Sequence, residues 1–214
     1  GERATRSAGT TLQSEYEELA AQIDSTRIDE GIRRMAGFGS RVIGYAGGDS
    51  AAALIAHEFR DAGLQFVNYE GFTGASPIDE GASIQLVSSG ETFTVHCMWP
   101  NLVRTPTLPR NGLEGQLHYV GKGEFKDFNG KVIENNFVLM DFNSGTNWLN
   151  AAELGARAVY FVEPDWTVRS QAEEKFLQTP VDVPRFYMPA ETATRVLGEL
   201  EMGADVRIRA HGRM

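Results

Sequence analysis

At 214 residues the chain can form one large domain or a smaller one with an extension, and 42% hydrophobic against 23% charged residues predicts a real core. Its 29 acidic residues outnumber 20 Lys and Arg, for a formal net charge of −9. That balance excludes nucleic acid as a partner, which needs a basic face, and disfavours anionic membrane surfaces.

The opening GERATRSAGTTL lacks the apolar core of a signal peptide, and it starts on Gly rather than Met, as either a processed or a recombinantly expressed chain would. No run reaches the ~20 apolar residues of a membrane span, so no transmembrane segment is expected. Residues 1–11 are small and polar and are expected to be disordered. From Leu12 the apolar positions Leu12, Tyr16, Leu19 and Ile23 follow a helical period. A second helix is expected over Ile28–Met35, with Asp29 and Glu30 in its first turn. GFGSRVIGYAGGDS is glycine-dense and reads as a loop. Asp49 or Ser50 would cap a helix over Ser50–Ala62 that stops at Gly63. Ala52, Ile55, Ala56 and Phe59 share one face of that helix.

The period then changes to two, and Gln65–Phe72, Ser83–Val87 and Thr92–Met98 read as strands, with SSGE a hairpin turn. The three prolines of Pro100–Pro109 mark an extended connector. Strands are predicted again at Gln116–Val120, Phe137–Asp141, Ala158–Val162 and Val206–Ala210, and helices at Trp148–Leu154 and Ala190–Leu200. His211–Met214 reads as a truncated end. The fold class expected is α+β: a helical arm over residues 12–64 leading into a mostly β domain over 65–210.

Candidate chemistry is sparse. His57 sits in HEFRD, where Asp61 replaces the second imidazole that a His-Glu-x-x-His zinc helix requires. His57 and Asp61 read as a helix-surface pair. His96 and His118 fall in predicted strands and read as structural, and His211 lies at the end. Ser40 has no preceding buried strand and no Gly-x-Ser-x-Gly elbow. The glycines of GYAGG lack the Gly-Lys-Ser/Thr of a phosphate loop. The acidic pairs Asp29–Glu30, Asp79–Glu80 and Glu173–Glu174 read as solvated faces or helix starts. Cys97, the single cysteine, excludes an internal disulfide and reads as a buried small residue. Trp99, Trp148 and Trp166 lie at element edges and read first as packing residues. Trp148 stands out because it follows the loop Asn143–Thr146.

Two motifs together resemble one family arrangement. FGSRVIGYAGGDSAAALIAHEFRDAGL, Phe38–Leu64, is similar to the opening segment of zinc aminopeptidases and glutamate-carboxypeptidase-II-type peptidases. GKGEFKDFNGKV followed by NAAELGARAVYFVEP resembles the protease-associated (PA) domain inserted near the start of such enzymes. VDVPRFYMPAETATRVLG, Val181–Gly198, is similar to that domain's closing segment, in which a Pro-initiated strand precedes the last helix. The resemblance implies a PA-type β-barrel or sandwich-like core with flanking helices, and an extracytoplasmic setting. It also implies a partner, a zinc-peptidase catalytic domain with His-x-Asp and Glu-Glu ligands, which this chain lacks. No catalytic or metal residue is therefore assigned here. Cofactors are none in this chain, with zinc implied only for the catalytic domain.

In the family, the loop before the PA helix faces the active site, where a basic residue helps recognise acidic substrates. The resemblance thus makes Asn143, Ser144, Gly145, Thr146 and Trp148 the substrate- or partner-facing set, without Arg or Lys. The function expected is a non-catalytic region that shapes access for a peptide or protein substrate. The alternatives are a free-standing peptide- or protein-binding module and a small metal-dependent hydrolase using His57 and Asp61.

Overall fold

A computed structural model describes residues 13–101, 103–176, 180–202 and 206–214, so the expected disorder of residues 1–11 lies outside it, as does Leu12. The chain divides into two compact units, Gly1–Ser76 and Pro77–Met214.

The first unit is helical. Residues 13–21 form α1, followed by α2 (Ser25–Ala36) and α3 (Ala46–Asp61). Asp24 caps α2, its carboxylate accepting from the Thr26 and Arg27 backbone N–H groups at 2.9 and 3.2 Å. Helix α3 begins ahead of the predicted Asp49 or Ser50 cap, at Ala46, with Tyr45 in the cap position. The glycine pair explains this early start. A Cβ on Gly47 would lie 2.3 Å from the carbonyl oxygens of both Phe38 and Ser40, so the preceding loop folds directly onto the first turn. Arg27 and Arg34 both pair with Glu58, at 3.5 and 2.8 Å, and join α2 to α3. The Arg34 hydrogen bond is the main reason the Glu58 carboxyl is held below its usual range.

The predicted strand Gln65–Phe72 does not form. These residues belong to no regular element, Phe66 takes a positive φ of 58°, and no strand pairs with them. Phe66, Tyr69 and Phe72 stand exposed, as do Tyr16, Leu19, Ile23, Ile28 and Ile32 on α1, α2 and the link between them.

The second unit is a closed barrel of β1 (Gly81–Leu86), β2 (Thr92–Cys97), β3 (Leu113–Tyr119), β4 (Phe137–Asp141), β5 (Ala158–Val162), β6 (Arg185–Met188) and β7 (Arg207–Arg213), in the order β1-β2-β6-β5-β4-β3-β7. Strands β3, β4, β5 and β6 run parallel, and the other pairings are antiparallel. The sequence dictates this division. FVLMD and AVYFV are continuous apolar runs buried on both faces, as parallel strands require, whereas β1 alternates buried and open positions. All seven strands contribute to one core, including Ile84, Val95, Leu117, Phe137, Tyr160, Phe186 and Ile208, which therefore fills the barrel. A second core outside it places Val138, Met140, Val159 and Phe161 against α4 (Trp148–Glu153) and the 3-10 turn Phe125–Phe128. Helices α5 (Arg169–Phe176) and α6 (Ala190–Glu201) complete the unit.

The last strand runs past its predicted limit at Ala210, with β7 continuing to Arg213. His211 pairs with Ser83 and Arg213 with Gly81, which closes the barrel. Gly212 is required there by proximity: an added Cβ would sit 2.5 Å from the Phe186 ring and 2.7 Å from the Pro106 carbonyl. Phe186 is fully buried and cannot yield. Gly212→Ala is expected to cost about 1–3 kcal/mol by overpacking, read as a lowered thermal midpoint. An unchanged midpoint would show that the closure tolerates a side chain.

Candidate functional site

The carboxyl ends of β3, β4, β5 and β6 lie at one end of the barrel, the position where open parallel sheets hold ligands outside their strand ends. The connection after β4 carries the sequence-predicted residues Asn143, Ser144, Gly145, Thr146 and Trp148. The structure brings them together but gives them different surroundings. Thr146 is exposed, Asn143 and Gly145 are half-buried, and Ser144 and Trp148 are buried.

Helix α5 covers this loop. Gly145 donates its N–H to Gln171 Oε1 at 2.9 Å, and its carbonyl accepts from Lys175 Nζ at 2.7 Å. Its positive φ of 55° turns both groups toward α5. The Trp148 indole N–H donates to the Glu174 carbonyl at 2.8 Å. Trp148 thus lies beneath the loop, 1% exposed, rather than on its open side.

Two buried cations lie beneath this layer. Lys175 Nζ stands 5.5 Å from the centroids of the Phe142 and Phe161 rings, and the Arg185 guanidinium stands 5.2 Å from Trp148. Arg185 donates to the Lys175 carbonyl and to the Trp99 carbonyl. Burial lowers the Lys175 ammonium to about 8, partly countered by Glu174, and lowers Arg185 to about 10. Ser144 Oγ, Glu174 Oε2 and Arg185 Nε are buried without a hydrogen-bond partner among the described residues. The interface under α5 is therefore polar and incompletely satisfied.

Beside the loop a cleft of about 500 Å³ opens between the ends of β4 and β5. It is lined by Lys122, Asp141, Asn143, Glu163, Trp166 and Gln171, with Phe142, Val162, Pro164 and Val168 as its apolar wall. Asp141 accepts from the Tyr119 hydroxyl at 2.6 Å. Glu163 accepts from the Ala190 backbone N–H at 2.8 Å, which caps α6, and bonds the Tyr187 hydroxyl. Burial and then Asp141 raise the Tyr119 phenol above its ordinary value; burial and then Glu163 push Tyr187 up to about 12. Asn143 holds the far lip by donating to the Trp166 carbonyl at 2.8 Å and accepting from the Thr167 hydroxyl at 2.6 Å.

Of the sequence-predicted set only Asn143 lines this cleft. The loop itself has no Arg or Lys, yet Lys122 reaches the same cleft from the turn after β3. That turn is fixed by Asn147 and Asn150 amides donating to the Lys122 and Gly123 carbonyls at 3.0 and 2.9 Å. Asn150 on a predicted helix, with Asn147 just before it, was the signal available for it.

The remaining candidates fall elsewhere. His57 and Asp61 pair at 3.3 Å on the open face of α3. His96 is exposed on β2. Cys97 is half-buried rather than buried; desolvation, reinforced by Asp79, pushes its thiol up to about 12, which leaves it a poor nucleophile. Trp99 and Trp166 are exposed. Among the described residues no three His, Cys, Asp or Glu side chains converge, and no helix is long and apolar enough to cross a membrane.

No family model matches the sequence, and no curated protein matches it. Among solved structures the chain is similar to an aminopeptidase from Aneurinibacillus sp. strain AM-1, at 18% identity and a TM-score of 0.44, covering 88% of this chain and 44% of that one. It is also similar to a peptidase M28 precursor from Shewanella amazonensis SB2B, at 16% identity and a TM-score of 0.57, covering 94% of this chain and 50% of that one. The second likeness shows a shared fold. The chain spans half the length of that precursor and less than half of the aminopeptidase.

Proposed function

We propose that this chain is the helical arm and PA-type barrel of a zinc exopeptidase, a non-catalytic region that shapes substrate access and makes protein or peptide contacts. The observation that carries the reading is the shared fold with a peptidase M28 precursor over 94% of this chain. Exposed Tyr16, Leu19, Ile23, Ile28, Ile32, Phe66, Tyr69 and Phe72 support it, since a surface this apolar suits coverage by the rest of a longer chain. An extracytoplasmic setting belongs to the same proposal.

Zinc would be held by that remainder. The exposed His57–Asp61 pair, with no third donor beside it among the described residues, does not fit a zinc site, and no step is derived through one. What this region supplies is position. The Asn143–Trp148 loop and the adjoining cleft form one end of a closed barrel, stiff enough to hold a wall of an active-site entrance. A free-standing peptide-binding module is the second reading, favoured by a cleft built wholly from the second unit.

Purified chain supplied with zinc and with aminoacyl and acyl-glutamate chromogenic substrates is expected to show no turnover. Turnover that scales with protein concentration and is absent from a mock purification would overturn the non-catalytic assignment.

A further inference from the structure

The cleft at the ends of β4 and β5 has a chemical character that the loop alone does not. Its acceptors are two carboxylates on adjacent strand ends. Asp141 pairs in register with Val162, and Glu163 is the next residue along β5's direction. Each carboxylate is pinned by a tyrosine hydroxyl, Asp141 by Tyr119 and Glu163 by Tyr187. These hydrogen bonds fix the direction of each carboxylate. The second oxygen of Asp141 has no donor among the described residues.

The same cleft is lined by Trp166, 72% exposed although its backbone is tied down through Asn143. A solvent-exposed indole on an anchored backbone beside carboxylates is the combination that holds an ammonium group: charge-assisted hydrogen bonds on one side and an aromatic face on the other. Lys122 adds one donor to the same cleft, suited to a carbonyl rather than to a second cation.

We propose that this cleft binds the free amino end of a peptide. The α-ammonium meets Asp141 and Glu163, the first side chain lies against Trp166, and Lys122 serves the first carbonyl. The choice of a peptide rests on the peptidase-related reading above; the preference for a cation rests on the cleft itself. Glu163 is shared with the α6 cap, so Asp141 carries the discrimination.

The test is calorimetric titration of the whole chain with a short neutral-side-chain peptide such as Leu-Gly-Gly and with its N-acetylated form, neither of which requires turnover. The free amine is expected to bind about tenfold more tightly than the acetylated peptide, as for loss of one charge-assisted hydrogen bond. Asp141→Asn should abolish the difference, and Trp166→Ala should weaken the free peptide. Equal affinity for the two forms overturns the proposal, as does absence of binding at millimolar peptide. Binding of the free amine unchanged in both variants places it elsewhere and overturns it as well. Chromogenic turnover by the chain would sink the non-catalytic reading while leaving this preference intact, so the two fail separately.

Discussion

Trp148→Ala is expected to lower the stability of the barrel unit by about 3–5 kcal/mol, the range for truncating a fully buried aromatic side chain. Three features of Trp148 place it there. It is 1% exposed within the outer core, its indole N–H satisfies the Glu174 carbonyl at 2.8 Å, and its ring carries the Arg185 guanidinium at 5.2 Å. Removing the ring leaves a cavity, an unpaired carbonyl at α5 and a buried cation without its aromatic neighbour. With native domains stable by about 5–15 kcal/mol, that loss takes a large share of the total. The thermal midpoint should fall by roughly 10 °C or more. Trp148→Phe separates the contributions: it keeps most of the apolar volume and gives up the hydrogen bond, for about 1–2 kcal/mol. Native-state hydrogen exchange of the α5 amides in Trp148→Phe should speed up selectively. A Trp148→Ala protein melting within a degree or two of wild type would show that α5 is not seated on this ring.

What the sequence revealed depended on where each element finds its energy. Strands β4 and β5 were legible to the residue, because strands buried on both faces must be continuous apolar runs, and Phe137–Asp141 and Ala158–Val162 are such runs. Helix α5 was not legible. RSQAEEKF has no apolar stripe, and its place comes from Gln171, Glu174 and Lys175 meeting the Gly145 backbone and Trp148. A lysine with no exposed surface looks in sequence like any surface lysine. Gln65–Phe72 failed in the opposite way: its aromatic and β-branched residues suit a strand, yet strand formation needs a neighbour and no strand among the described residues pairs with it. The cleft was half legible. The turn residues Asn143–Gly145 marked its edge, while Lys122 and Trp166 come from other connections and met it only through the parallel order of β3, β4 and β5.

Lys175 gives the chain an alkaline stability profile that reverses the usual direction. Its folded-state value, lowered to about 8 chiefly by burial and partly restored by Glu174, lies below the 10.5 of an ordinary lysine. Between those values the unfolded chain keeps a proton that the folded chain has released. The unfolded state then binds more protons, so stability rises with pH, by at most about 1.4 kcal/mol per unit for one group. Groups with raised values act against it. Cys97, pushed from 9.0 to about 12, and Tyr187, pushed from 10.0 to about 12, stay protonated when the unfolded chain loses its proton, as do Tyr119 and Tyr160. Their contribution falls away first near the unfolded cysteine value and then near the tyrosine value. Denaturant midpoints should therefore climb from about pH 8 toward about pH 9 and turn over above it. Lys175→Met removes the climbing limb. It is also expected to raise stability near neutrality by roughly 1–3 kcal/mol, because an apolar side chain replaces a buried cation with no carboxylate bonded to it. The Gly145 carbonyl that loses its Lys175 donor limits the gain. A wild-type midpoint that falls steadily from about pH 7.5, or a rise that persists unchanged in Lys175→Met, would show that the ammonium is not desolvated under α5.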